Sequence, residues 1–173
     1  SFEMDEKLLP VAFDITSFNA GEGKIRTEVN FEIPTRELHF VSRDDILRAE
    51  VELRVMVRDL DMKEVASGTE LTGASQEGGM TFEGPYYLPG QVAVTLDPGY
   101  YRIGIEAHDL TSGWMGVYRA NVELPPMDEG LALSDILFAS TITPVEETVR
   151  YQKGNLQVVP HPLHAYKIPF PLT

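Results

Sequence analysis

The sequence has no cysteine, a single tryptophan, and no apolar run near the roughly 20 residues that a membrane-spanning helix requires. Without cysteine there is neither a disulfide framework nor a thiolate metal site, and the compartment stays open, because many secreted bacterial proteins also lack cysteine. Positive charge is scarce as well: 14 basic residues stand against 27 acidic ones, for a net charge of −13. Phosphate backbones and anionic membrane surfaces are repelled by such a chain unless its cations are segregated. Along the sequence Arg26, Arg36, Arg43, Arg48, Arg54, Arg58, Arg102, Arg119 and Arg150 are scattered, each with acidic residues nearby. No aromatic residues interleave with a basic stripe, so nucleic acid is not an expected partner. The first residues lack the positive charge and apolar stretch of a signal peptide. The start without Met and the Pro-rich end Ile168-Pro-Phe-Pro-Leu-Thr173 read as an excerpt from a longer protein.

What is present is ordinary globular material, 43% hydrophobic and 24% charged. A domain of roughly 150 residues buries about 70% of the surface its unfolded chain exposes, so a core is expected. The chain is divided into a lead-in over residues 1–10, a β-sandwich domain over 11–162, and a tail or linker over 163–173.

Period two dominates, as expected where one strand face meets a core and the other meets water. Val51, Leu53, Val55 and Val57 alternate with charged residues from Glu50 to Arg58. Ile25, Thr27, Val29, Phe31 and Ile33 alternate in the same way with Arg26, Glu28, Asn30 and Glu32, which reads as a charged outer face. Val92, Val94 and Leu96 mark a third half-buried strand. Residues 100–109 and 114–124 read as a hairpin about Thr111-Ser-Gly113, and a weaker strand is expected near 63–71 after an Asp-rich turn. The Gly-, Ser- and Thr-rich stretch 72–84 reads as a long loop or loose hairpin. Residues 131–139, bracketed by prolines, read as a strand or irregular segment, with a short helix as the alternative. Turn signals every 8 to 12 residues, roughly, point to an all-β, antiparallel, immunoglobulin-like sandwich with little helix. In Leu96-Asp-Pro-Gly-Tyr-Tyr101 the trio Asp97, Gly99 and Tyr101 has the spacing of a tyrosine corner, with a plain Pro-Gly turn as the alternative.

Nothing in the sequence favours catalysis. Four histidines, His39, His108, His161 and His164, occur without a Gly-x-Ser-x-Gly elbow, and His108-Asp109 reads as a turn pair. The two histidines of His161-Pro-Leu-His164 lack further ligands at metal-site spacing. Asp44-Asp45, Asp59 with Asp61, Asp109 and Asp128-Glu129 are acidic loop residues of the kind that hold calcium between strands, but they also suit turns, and no EF-hand series appears. No cofactor is expected. Candidate binding residues are the aromatics Trp114, at the hairpin tip, and Tyr86 with Tyr87, after a Gly-Pro turn; core packing is the competing reading.

Phe13-Asp-Ile-Thr-Ser-Phe18, Glu32-Ile-Pro34, Leu96-Asp-Pro-Gly-Tyr-Tyr101, Leu133-Ser-Asp-Ile136 and Lys153-Gly-Asn-Leu-Gln-Val-Val-Pro160 occur in an order that resembles the β-rich portion of the GWxTD-domain proteins of bacteria. The similarity covers roughly residues 11 to 162. The motif that names that family is missing, because Gly113-Trp114 is followed by Met-Gly-Val. The resemblance implies an extracytoplasmic module, periplasmic or at the cell surface, downstream of the naming region, and it supplies no catalytic residues. The expected function is noncatalytic: protein–protein contact or a structural role in a cell-envelope assembly. Carbohydrate recognition through Trp114, Tyr86 and Tyr87 is the alternative.

Overall fold

The computed structural model describes residues 8–77, 86–126 and 134–163. Eleven strands follow one another: β1 (Ala12–Gly21), β2 (Lys24–Pro34), β3 (Val41–Arg43), β4 (Ile46–Arg58), β5 (Glu64–Glu77), β6 (Tyr87–Leu96), β7 (Gly99–Asp109), β8 (Met115–Leu124), β9 (Ala139–Pro144), β10 (Gln152–Lys153) and β11 (Leu156–Pro160). The only helical turn among the described residues is a 3-10 turn at Thr35–Glu37. No helix among them is long and apolar enough to cross a membrane.

All the strand pairings are antiparallel and form three sheets. The largest runs β5-β4-β7-β8. Because β5 pairs with β4 along its whole length, β3 and β7 share the other edge of β4, at opposite ends. A second sheet has the order β1-β2-β6 and a third the order β10-β11-β9. Tight turns close the hairpins. Gly21, Glu22 and Gly23 all take positive φ between β1 and β2, and Asp44 with Asp45 (φ 52° and 60°) makes the β3–β4 turn. Two successive positive-φ residues match the right-handed twist of the strands they join.

Val51, Leu53, Val55 and Val57 of β4 and Ile103, Ile105 and Ala107 of β7 form one wall of the core. Ile25, Val29, Phe31 and Ile33 of β2, with Leu88, Val92, Val94 and Leu96 of β6, form the facing wall. The packed chain reaches back into the lead-in. Leu9 is fully buried, its N–H donates to the Met115 carbonyl at 3.0 Å, and the segment covers the free edge of β8. That close approach requires Gly116, where a Cβ would stand 2.4 Å from the Leu9 carbonyl oxygen.

The structure departs from the sequence reading in two places. First, the stretch read as a loop from residue 72 is strand as far as Glu77, because β5 pairs with β4 throughout; residues 78–84 lie outside the described residues. Thr72 is buried and donates its hydroxyl to the Pro89 carbonyl at 3.1 Å, so tertiary pairing overrides a composition poor in strand formers. Second, the charged face of β2 meets water only at Arg26. Glu28, Asn30 and Glu32 are buried, because the β10-β11-β9 sheet and the segment after it cover that side.

Buried charge requires partners, and the seam supplies them. Glu28, with no exposed side-chain surface, is held by Lys153, by Arg26 Nε at 2.7 Å and by Gln91 Nε2 at 3.2 Å. Asn30 donates to Asp14 Oδ1 at 2.8 Å and accepts from Gln91 at 2.8 Å. Arg150 pairs with Glu70 of β5, while Lys153 also lies 4.2 Å from the Phe18 ring centre. The result is three layers: an apolar interface on one side of β2 and a polar one on the other. Residues 134–138 have no regular structure and lead into β9, and residues 131–133 are outside the described range.

Candidate ligand-binding site

Alternation along a strand that buries one face sends the remaining side chains to the other. On the large sheet those outward residues include Arg54, Met56 and Arg58 of β4, Arg102, Gly104 and Glu106 of β7, and Val117, Arg119 and Asn121 of β8. The register arranges them in three rows: Arg58–Arg102–Asn121, Met56–Gly104–Arg119 and Arg54–Glu106–Val117. Gly104 is the centre of this grid. A Cβ built there meets only the Met56 carbonyl oxygen, at 3.8 Å, so the middle of the face is open. Around it lies a recess of ≈ 430 Å³, with Met62 from the β4–β5 turn on its rim. A second recess of ≈ 380 Å³ shares Arg102 and Asn121 and continues past Tyr100 and Leu60.

Four arginines thus gather on one face of a chain with a net charge of −13. Arg54 is neutralised, with Nη2 3.0 Å from Glu52 and Nη1 3.9 Å from Glu106. The others differ. Arg58 Nη2 donates to Met56 Sδ at 3.2 Å and Arg102 Nη1 to Met62 Sδ at 2.8 Å, and thioethers are weak acceptors. Among the described residues no carboxylate lies within ion-pair distance of Arg58, Arg102 or Arg119. Glu64 stands opposite Arg58 on β5, but beyond an irregularity in the register. Arg58 and Arg102 face each other directly across β4 and β7, an arrangement that like charges disfavour.

In the sequence these arginines look scattered because each has an acidic residue close by along the chain. Neighbours in a strand point to opposite faces, so nearness in sequence says little about neutralisation. The parity of Arg54 and Arg58 on β4 and of Arg102 and Gly104 on β7 is a readable signal. The pairing of β4 with β7, which brings the two sets together, is not.

The candidate aromatics occupy other places. Trp114 is half-buried, packs against the core and meets the His39 ring edge-on, with centroids 4.6 Å apart. Tyr86 and Tyr87 are exposed, at 51% and 37%. The Tyr86 carbonyl accepts from the Thr35 N–H and hydroxyl, both at 3.0 Å, and Tyr87 stands opposite Pro34. At the β6–β7 connection the Tyr101 hydroxyl donates to the Asp97 carbonyl, four residues upstream, at 2.9 Å. Asp97 also pairs with Lys24 at 2.7 Å, and the Tyr101 ring lies against Gly99, where a Cβ would be 3.3 Å from its oxygen.

Asp109 is buried beside Trp114 and partners His39 rather than its sequence neighbour. Its Oδ2 accepts from the His39 N–H at 3.0 Å and lies 3.2 Å from Nδ1, while Oδ1 accepts from the Thr111 N–H at 2.9 Å and the Ser112 N–H at 3.3 Å. Burial on its own pushes this carboxyl upward. The hydrogen bonds from His39, Ser112 and Thr111 outweigh burial and hold it below the usual carboxylate range. His161 Nδ1 meets Glu32, and His164 is outside the described residues. Of the acidic loop candidates, Asp44 and Asp45 form a hairpin turn, Asp59 accepts from the Lys63 N–H at 3.0 Å, and Asp128-Glu129 lies outside the described residues. Among the described residues no group of three His, Asp or Glu side chains is placed to hold a metal ion. No family model and no curated protein matches the chain.

Proposed function

We propose that this chain is a noncatalytic, extracytoplasmic β-sandwich module of a bacterial cell-envelope assembly, and that it contacts a protein partner through the arginine-bearing face of its large sheet. The observation carrying the reading is the gathering of Arg54, Arg58, Arg102 and Arg119 around Gly104 in a chain with so few cations. Arginine is enriched at protein interfaces, where its planar fork meets carboxylates in two-point hydrogen bonds. The extracytoplasmic setting follows from the resemblance of segments such as Leu96 to Tyr101 and Lys153 to Pro160 to the GWxTD-domain proteins. Charge complementarity assigns the partner an acidic surface.

Cross-linking of the purified chain in native envelope extract, followed by mass spectrometry, tests this reading. A partner cross-linked near β4, β7 and β8, and lost when Arg102 and Arg119 are both changed to Glu, supports it. Cross-links that persist in the double variant refute it. The exposure of Tyr86 and Tyr87 favours a second reading, carbohydrate recognition; glycans retained by the wild type and lost in Tyr86→Ala, Tyr87→Ala would make it the better one.

A further inference from the structure

We infer that the recess around Gly104 receives the side-chain carboxylate of an acidic, extended segment of the partner polypeptide. This rests on the protein-contact reading above and adds to it a position, a ligand group and a shape.

The position follows from the grid. Gly104 is the one residue of the three rows without a side chain, and it is ringed by Arg102, Arg119, Arg54 and Arg58 at its edges and corners. An incoming side chain occupies the space a Cβ would begin to fill, which is open. The ligand group follows from what surrounds that space. Arg58, Arg102 and Arg119 have no carboxylate partner among the described residues, and Arg58 faces Arg102 directly. A carboxylate between them relieves that repulsion and accepts charge-assisted hydrogen bonds. Met56, Met62 and Val117 offer apolar walls to the methylenes of a Glu or Asp stem. Glu106 on the same rim repels a dianionic phosphate more strongly than a singly charged carboxylate and is an acceptor for a peptide N–H, and Asn121 offers both a donor and an acceptor. This mixture suits an acidic peptide better than a bare phosphate or a nucleic-acid backbone. The shape follows from the second recess, which continues the first through Arg102 and Asn121 and makes room for more than one residue of ligand.

The probe is a fluorescently labelled hexa-glutamate peptide, read by anisotropy, with hexa-glutamine, inorganic phosphate and an oligothymidine as comparisons. Because the chain is strongly acidic overall, an acidic peptide is repelled everywhere except at a segregated positive site. Two variants report independently. Gly104→Val puts a side chain into the middle of the recess, keeps every charge, and places a β-branched residue in a strand. Arg58→Gln with Arg102→Gln removes the facing cations, and thermal melting monitors the fold of both. The expected result is salt-sensitive binding of hexa-glutamate, no binding of hexa-glutamine, and a loss of about tenfold or more in each variant at an unchanged or higher melting temperature.

Equal binding by a folded Gly104→Val protein would overturn the recess assignment while leaving the arginine face as a contact surface. If Gly104→Val does not fold, the Gln pair decides: hexa-glutamate bound as tightly as by the wild type refutes the assignment. Tighter binding of phosphate or of the oligothymidine than of hexa-glutamate refutes the ligand class. No binding of hexa-glutamate by the wild type refutes the inference outright, and the cross-linking result then stands alone as the test of the broader reading.

Discussion

His161 Nδ1 and Glu32 Oε1 lie 2.7 Å apart, joining positions 129 residues apart in the chain, and the second oxygen of Glu32 accepts the Leu163 N–H at 3.2 Å. Both side chains are nearly buried, so this contact pins the end of the third sheet to the outer face of β2. Glu32→Gln replaces one acceptor oxygen by an amide donor and removes the charge. The expected cost is about 1–3 kcal/mol, as for other buried groups that lose a partner. Hydrogen exchange checks it: protection should fall in β9 and β11 well before it falls in β4 and β7. Uniform loss across the molecule would mean that the third sheet does not open as a separate unit.

Thr27 supplies a prediction of opposite sign. It is fully buried on the inner face of β2, and among the described residues its hydroxyl oxygen has no hydrogen-bond partner. A buried hydroxyl left unsatisfied costs about 1–3 kcal/mol, and valine has nearly the same shape. Thr27→Val is therefore expected to stabilise the chain by about 1 kcal/mol, read as a higher urea midpoint at an unchanged slope. A lower midpoint would show that the hydroxyl is satisfied in solution.

At high pH the informative group is Tyr151. Its ring is packed beside β6, the hydroxyl donates to the Pro89 carbonyl at 3.0 Å, and burial, opposed by nearby Arg150 and reinforced by Glu70, pushes its pKa up to about 12. The protonated form is the one the fold favours. Its contribution is complete below the unfolded value of about 10 and is lost as pH rises through the folded value. Wild-type stability is expected to fall between about pH 10 and 12, more steeply than that of Tyr151→Phe, which lacks the titrating group. Parallel decline of the two proteins, followed by denaturant titration, would contradict this.

At low pH the same logic runs through Asp109, whose folded pKa is depressed. Its contribution is present above the unfolded value of about 3.9 and disappears as pH falls through the lower folded value. Asp109→Asn is expected to cost about 1–3 kcal/mol near neutrality, because the donors of His39, Thr111 and Ser112 lose a charged acceptor. The gap between variant and wild type should narrow below about pH 4. A gap that is constant with pH would assign the cost to packing rather than to charge.

Alternation makes much of the sandwich legible in the amino-acid order alone. The inward sets of β2, β4 and β6 lie in the observed core, and the 100–109 with 114–124 hairpin is present as β7 and β8, with Leu124 of β8 buried and Tyr118 and Val122 half-buried against the core. The same rule misleads at β2, where Arg26, Glu28, Asn30 and Glu32 form a charged face indistinguishable in sequence from one that meets water. Only the arrival of Lys153 and His161 from more than a hundred residues away buries Glu28, Asn30 and Glu32, while Arg26 stays exposed. The third sheet also escapes notice, since β10 has two residues and β9 is almost wholly exposed; the Gly154-Asn155 turn is its one local cue. The arginine face fails to show for the related reason that lateral neighbours in a sheet are set by pairing across strands and not by order along them.

Strand β2 has two interfaces made of different materials, and they differ in what they can tell apart. Its apolar side meets β4 and β7 through Val, Ile and Phe, which accept many partners of similar volume. Its polar side is keyed at Glu28 and Glu32 by Lys153 and His161, and Glu70 of β5, beside β6, is keyed by Arg150. Sliding the third sheet by one residue would leave all three carboxylates facing the wrong groups at once. The seam thus works as an alignment lock: it admits one docking of the C-terminal strands and penalises every near miss, which an oily interface of the same area does not do.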